Sequence, residues 1–436
     1  MTAAAPASAP LFVVDDDPTG AQGQADVPLL LCWRAGLLEA ALRDDPPALH
    51  LLTNSRALDE DAAYAVVREA VEAADAAASQ PRLVLRGDST LRAHLLPEYA
   101  GVRDALYPGA APPLLLVPAL PAAGRITRGG RHWLVRGGRR IPLEETEFAS
   151  DGEFSYDTSR LLDWADERSD GFFAAQSGIE VGLAEIRSEG GADRVTEALL
   201  EAARGPRPAV VVPDAETQAD LETIADGLRR AWLQAPMIVV RCAPAFASVL
   251  SGAGAAEEVA LPSVERGLLV VVGSHVSMSS AQLAALDSRH PGALVELDPE
   301  ALAGPGATGA VAAAVERARP LLEQTRLAVV ATSRAIEPKA AGPEAGMRVA
   351  RGLARVVDEL RDASDVLLSK GGITSAVNVR DGLHAERAQI VGPVATGVSL
   401  WLAHEDGGHV RPVLVFPGNV GDVDTLAELV DRLLEE

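Results

Sequence analysis

Leu11-Phe12-Val13-Val14-Asp15-Asp16-Asp17-Pro18-Thr19-Gly20 runs from four apolar residues straight into three carboxylates, a proline and a glycine. The apolar part has strand length, and Pro18 and Gly20 end it. Three adjacent aspartates repel one another, so stability does not account for them beside a buried strand. A metal, a basic ligand group or a proton-transfer role does; a solvated acidic turn is the plain alternative. The same punctuation recurs down the chain, and that recurrence decides the fold.

Short apolar runs bounded by turn residues fall at Leu11 to Val14, Ala48 to Thr53, Arg82 to Arg86, Pro113 to Val117, Ala209 to Val212, Met237 to Arg241, Gly267 to Val272, Leu327 to Ala331, Asp365 to Ser369 and Val413 to Phe416. Alanine-rich stretches of helical period separate many of them, as at Asp59 to Ala78, where one face is apolar and the other acidic. Strands alternating with helices predict an α/β fold of two domains, each with a mainly parallel sheet flanked by helices. Polar and glycine-rich clusters sit after the strands: Asp15-Asp16-Asp17, Thr53-Asn54-Ser55-Arg56, Arg86-Gly87-Asp88-Ser89-Thr90, Gly273-Ser274-His275, Thr332-Ser333-Arg334, Lys370-Gly371-Gly372 and Pro417-Gly418-Asn419. Open parallel sheets bind ligands at the carboxyl ends of their strands, so the joint position of these clusters marks a site.

The 436 residues suit two domains. Ser251 to Arg266 is small, acidic and proline-containing; it reads as a linker between domains at 1–255 and 263–436. From Pro121 to Tyr156 the chain turns arginine-dense and loses helical period, which predicts a long functional loop or a small β excursion. A formal charge of −23 argues against nucleic-acid or anionic-membrane partners and for a small molecule. Cys32 and Cys242 lack metal-ligand spacing, and no leader or membrane-length segment is evident, so a cytoplasmic protein is expected. Oligomeric state is not legible, a homodimer being the common default.

Arg56, Arg86, Arg92 and Arg125 follow or flank strand-end motifs of the first half. A planar guanidinium takes a carboxylate bidentately, so arginines beside aspartates suit a ligand with a carboxylate at one end and hydroxyls at the other, such as a sugar acid. Surface ion pairs are the plain alternative for each arginine singly. Asp15-x-Asp17-x-Thr19 also resembles the nucleophile motif of haloacid-dehalogenase-like phosphatases, but the only lysines, Lys339 and Lys370, lie far from it and Arg86-Gly87-Asp88-Ser89 lacks the acidic partner at the usual spacing. In the second half the glycines of Gly273-Ser274-His275, Gly371-Gly372-Ile373-Thr374 and Pro417-Gly418-Asn419-Val420-Gly421 leave backbone N–H groups open to phosphates, although tight turns use the same residues. His94, His132 and His275 are each open between a structural hydrogen bond and a ligand contact.

The order and spacing of VDDDPTGAQ (Val14 to Gln22), LLTNSRAL (Leu51 to Leu58), RGDSTLRAH (Arg86 to His94), PALPAAGRITRGGRHW, the stretch ending at Asp151, VVGSHVSMSSAQL, LLSKGGITSAVNV and VFPGNVGD resemble the four-carbon acid sugar kinase family over almost the whole chain. Ala93 and Thr396 depart from the usual glycine and proline, and Arg86 stands where many relatives have lysine. The resemblance implies an N-terminal domain for the sugar acid, a C-terminal domain for ATP, and an active site in the interdomain cleft. It implies phosphorylation of the terminal hydroxyl of threonate, erythronate or a 3-oxo relative. Asp16, Asp17, Arg56, Arg86, Gly87, Asp88 and Ser89 are then expected at the substrate, with Arg125 among the arginines that anchor its carboxylate. Ser274, His275, Gly371, Gly372, Ile373, Thr374, Gly418, Asn419 and Gly421 are expected at ATP and its Mg²⁺, whose ligands the sequence leaves unknown. Asp16, Asp17 or Asp88 would take the hydroxyl proton, with Asp16 and Asp17 preferred over Asp15. A sugar phosphatase and a non-catalytic sugar-acid sensor are the alternatives.

Overall fold

The computed structural model describes residues 10–21, 24–150, 152–252, 257–333 and 343–435. Gln22, Asp151, Arg334, Lys339 and the expected boundary at Ala255 lie outside the described residues. The strands are, in chain order, β1 (Leu11–Asp15), β2 (Val27–Leu30), β3 (Ala48–Leu52), β4 (Arg82–Arg86), β5 (Leu114–Val117), β6 (Arg125–Arg128), β7 (Arg131–Arg136), β8 (Arg139–Pro142), β9 (Ile179–Val181), β10 (Val210–Pro213), β11 (Val239–Cys242), β12 (Leu268–Val272), β13 (Leu294–Leu297), β14 (Leu327–Thr332), β15 (Val366–Lys370), β16 (Arg387–Ala395), β17 (Val398–His404) and β18 (Val410–Phe416). They belong to two compact units, one holding the described residues of 10–16 and 33–252, the other those of 17–32 and 257–435.

The first unit carries seven parallel strands in the order β3-β1-β4-β11-β5-β10-β9. Every residue of β1, β3, β5 and β11 is buried, the pattern of strands covered on both faces. In register, Asp15 lies beside Leu52 and Arg86, so the motifs after β1, β3 and β4 emerge together at one end of the sheet. The helix Glu60–Ala77 follows β3, its Asp59 carboxylate accepting the Ala62 N–H at 2.8 Å as an N-cap. The arginine-dense excursion forms the antiparallel sheet β6-β7-β8.

In the second unit β13-β14-β12-β15-β18 are parallel, and β18, β17, β16 and β2 continue antiparallel. The described residues of 17–32 therefore belong with the C-terminal half of the chain, held there by the β2–β16 pairing from Val27 beside Ile390 to Leu30 beside Arg387. The stretch read as a linker is in its described part built into this unit. Val259 N–H donates to Pro393 O at 2.7 Å, and Leu261 and Val264 are buried in the core with Leu268, Leu286 and Phe416. Its short apolar positions are core contacts, which composition alone hides. Among the described residues no helix is long and apolar enough to cross a membrane.

Candidate active site

Asp16 N–H donates to Arg86 O, and Thr53 and Asn54 N–H groups donate to Asp15 O, so the ends of β1, β3 and β4 are tied by backbone bonds before any side chain acts. Asp16 is 2% exposed and takes a forked pair from Arg56, NH2 to Oδ1 at 2.7 Å and Nε to Oδ2 at 3.2 Å. Arg86 NH1 adds a third bond at 3.1 Å, while its NH2 meets Asp15 Oδ1 at 2.8 Å. Burial drives the Asp16 carboxyl up to about 6, against the pull of Arg56 and Arg86 and with a smaller push from Glu98. A carboxylate poised there suits a general base near neutral pH. Asp15 is fully buried against Arg86 and His50, whose Nδ1 lies 3.2 Å from Oδ2.

The loop after β4 supplies the neighbouring groups. Asp88 accepts from Arg92 Nε at 2.7 Å, from Thr90 N–H at 3.1 Å and from the Thr90 hydroxyl. Burial pushes its carboxyl up, but Arg56, Arg92 and those bonds outweigh it and hold it well below the usual carboxylate range. It stays an anion where Asp16 is poised to gain a proton. The β excursion grips this loop: His132 Nε2 donates to Ser89 O at 2.9 Å, its Nδ1 meets Thr127 Oγ1 at 3.0 Å, and Tyr156 OH donates to Thr90 O at 3.1 Å. Burial lowers His132 to about 4, and with both ring nitrogens bonded it serves as a neutral clamp on this loop. His94 bonds Leu58 O at 2.8 Å through Nε2 and is set edge-on to Phe154. Arg125 stands over Phe148, 5.7 Å from the ring centre, and makes no ion pair among the described residues; burial lowers its guanidinium from the ordinary value.

In the second unit Gly371 has φ +116°, and the helix Gly372–Val377 starts directly after it. The first N–H groups of a helix have no intrahelical acceptor. The glycines leave no room for a Cβ: at Gly273 it would lie 2.1 Å from Thr374 Oγ1, at Gly418 2.4 Å from Ser274 Oγ, and at Gly372 2.7 Å from Asp17 Oδ2. Ser274, Gly371, Thr374 and Gly418 therefore converge, and the Asp17 carboxylate is packed against the same loop. Asp17 also accepts from Thr19 N–H at 2.7 Å. His275 Nε2 meets Thr332 Oγ1 at 2.8 Å. Ile373 is 40% exposed, Asn419 and Gly421 are exposed, and Gly421 packs on Thr425 at the start of the last helix. Lys370 is fully buried, donating to Pro417 O at 2.9 Å with its ammonium 3.7 Å from the Phe416 ring centre, which makes it a brace for the loop.

Several site residues escape a reading of motifs. Arg241 is the penultimate residue of β11, where Arg86 is the last of β4, so a charge at the close of an apolar run was the available signal. Its NH1 pairs with Glu98 and its NH2 lies 3.7 Å from Asp16 Oδ2. Glu98 Oε1 in turn accepts from Ser55 Oγ at 2.7 Å. Ser279 and Gln282 sit inside a quoted motif yet act at a distance: Ser279 Oγ donates to Gly418 O at 2.8 Å, and Gln282 Nε2 to Val420 O at 3.0 Å and Asp422 O at 2.6 Å.

Residues 11–250 match the family model described as a sugar-binding N-terminal domain, and residues 269–426 the one described as a nucleotide-binding C-terminal domain. The chain is 30% identical to a D-erythronate kinase of Heliobacterium modesticaldum, the alignment covering 97% of each. It is 29% identical to a D-threonate kinase of Salmonella typhimurium over 76% of this chain and 73% of that one. Among solved structures, a Haemophilus influenzae protein superposes with a TM-score of 0.64 at 19% identity, covering 97% of this chain and 100% of the other. A Salmonella typhimurium LT2 protein does so with a TM-score of 0.69 at 17% identity, over 96% and 98%. These two likenesses establish the fold.

Proposed function

We propose that this chain, which belongs to the four-carbon acid sugar kinase family, transfers the γ-phosphoryl group of ATP to the terminal hydroxyl of a four-carbon sugar acid such as erythronate or threonate. The observation that carries the reading is the charge inventory around Asp16 and Asp88. Five guanidiniums, of Arg56, Arg86, Arg92, Arg125 and Arg241, accompany four carboxylates, of Asp15, Asp16, Asp88 and Glu98, and Arg125 is the one without an ion pair among the described residues. A monocarboxylate supplies the missing anion.

In this reading Arg125 anchors the acid's carboxylate, and Asp16 accepts the proton of the reacting hydroxyl while Arg56 and Arg86 hold its carboxylate in place. Asp88 stays ionised and orients a hydroxyl by accepting from it. The glycine cradle suits a triphosphate, with N–H groups of Gly372, Ile373 and Thr374 directed by the helix start. ATP with Mg²⁺, when bound, supplies the phosphoryl group and neutralises its charge. A Mg²⁺ that accompanies ATP would be held largely by phosphates and one carboxylate. Asp17, against Gly372, is the carboxylate assigned to it.

A phosphatase would need Asp15 as an accessible nucleophile, and Asp15 is fully buried between Arg86 and His50. The test is ADP release with D-erythronate, D-threonate and 3-oxo-tetronates. ADP formed one-for-one with a tetronate phosphate supports the kinase; acid binding without ADP would make the chain a sensor and refute transfer.

A further inference from the structure

Beside Gly87 lies a small cavity lined by Gly87, Asp88, Leu116, Trp164, Arg241 and Cys242, with about 10 Å³ for the centre of a water-sized atom. That is room for about one oxygen-sized atom. Two of its walls carry buried donors that have no acceptor among the described residues: Arg241 NH2, on a side chain 5% exposed, and Trp164 Nε1, on a residue 1% exposed. Buried donors left unpaired are costly, and two on one cavity need an acceptor. None of the surrounding side chains provides it: the nearest carboxylate to Arg241 NH2 is Asp16 Oδ2 at 3.7 Å, beyond hydrogen-bonding distance, and Glu98 is spent on NH1.

We propose that Arg241 is a specificity-determining residue, whose NH2 donates to a secondary hydroxyl of the bound acid placed in the cavity beside Gly87. The inference rests on the sugar-acid reading above and names the group that distinguishes one acid from another. The chemistry selects a neutral oxygen over a carboxylate. Glu98 already neutralises the Arg241 guanidinium, whereas the unpaired Arg125 is the fitting partner for the acid's charge. Gly87 sets the pocket's depth, because a Cβ there would lie 2.4 Å from Arg241 NH2. Its φ lies outside the left-handed region, so alanine is conformationally acceptable and acts only by displacing the guanidinium.

The experiment compares wild type, Gly87→Ala and Arg241→Lys with D-erythronate, D-threonate and their 2-deoxy and 3-deoxy counterparts, by steady-state kinetics and by calorimetric binding of each acid without nucleotide. A site built to bond a hydroxyl rejects the analogue lacking it strongly. The expected result is a loss of about 10- to 100-fold in kcat/KM and in affinity for the hydroxylated acids, with less than about threefold change for the one deoxy acid that lacks the contacted hydroxyl. Gly87→Ala keeps every charge, so it tests the contact even where Arg241→Lys unfolds through Glu98. Equal losses on all acids would mean a structural role or a permanently bound water, and would overturn the inference while leaving the kinase reading intact. A wild type that neither binds nor phosphorylates any of these acids would overturn both.

Discussion

Asp16 and His132 titrate over the same pH interval with opposite effects on stability, and separating them tests the electrostatics on which the catalytic assignment rests. Burial raises Asp16 from 3.8 to about 6, so the folded state holds its proton more tightly than the unfolded chain. Its contribution is fully present below pH 3.8 and is lost as pH rises through 6, a swing of about 3 kcal/mol at 1.36 kcal/mol per pKa unit. Burial lowers His132 from 6.5 to about 4, so the folded state excludes its proton. That contribution is present above pH 6.5 and is lost as pH falls through 4, again by about 3 kcal/mol. The two nearly cancel in the wild type, and each variant exposes the other. Urea unfolding of wild type, Asp16→Asn and His132→Gln from pH 4 to 7 reads both. Relative to wild type, Asp16→Asn gains stability as pH rises, and His132→Gln gains it as pH falls. In kinetics the acid limb of kcat/KM near pH 6 disappears with Asp16→Asn and kcat falls by about 10²- to 10⁴-fold, the ordinary yield of a general base. Difference curves of the same sign, or an Asp16→Asn enzyme that keeps the limb and its rate, would refute the assignment.

Arg125→Gln should raise KM for the acid by about 10- to 100-fold with kcat little changed, since it removes a charge-assisted bond of roughly 1.5–3 kcal/mol; initial rates at saturating ATP check this. Gly372→Ala would place a Cβ 2.7 Å from Asp17 Oδ2, so calorimetry should show ATP·Mg²⁺ affinity reduced at least tenfold with acid binding unaltered. Ser279→Ala frees Gly418 O from a 2.8 Å bond of about 1 kcal/mol, and KM for ATP should rise two- to tenfold while KM for the acid stays constant.

Among the described residues ten of the twelve parallel strands were legible as short apolar runs, seven of them closed by a polar cluster, and all ten expected runs fall on observed strands. The strands missed lack that contrast. β2 is four residues with a proline, β9 is three residues, and β13 alternates Leu-Val-Glu-Leu beside a helix. β16 and β17 form an antiparallel pair around Gly397, and the alternation of buried and more exposed positions along β16 was readable in the sequence, but a search for all-apolar runs passes over period-two patterns. The same search cannot see that Asp17–Cys32 belongs with the C-terminal half, since the β2–β16 pairing joins positions more than 350 residues apart. A long-range pairing of this kind leaves no local trace in composition.

The candidate site was legible where backbone and chemistry coincide, and obscure where a residue serves another residue. Asp16, Arg56 and Arg86 stand at strand ends and meet there, because parallel register brings the ends of β1, β3 and β4 level. Asp16 and Asp17, equivalent in sequence, receive different surroundings: one is bound by arginines, the other is packed against Gly372. A motif with three aspartates cannot reveal this, since what separates them is which neighbour each side chain meets. Ser279, Gln282, His132 and Tyr156 all bond to carbonyl oxygens of functional loops, an interaction that asks for a donor at the right height and leaves the loop's own sequence unconstrained. Arg241 also serves another residue, through its bond to the Glu98 carboxylate, and differs in one respect: after that bond its second nitrogen has no hydrogen-bond partner among the described residues, and its side chain lines an oxygen-sized space. A brace would be satisfied once Glu98 is bound. A donor left over in a buried cavity is what a hydroxyl-reading residue requires, and that excess separates Arg241 from the clamps around it.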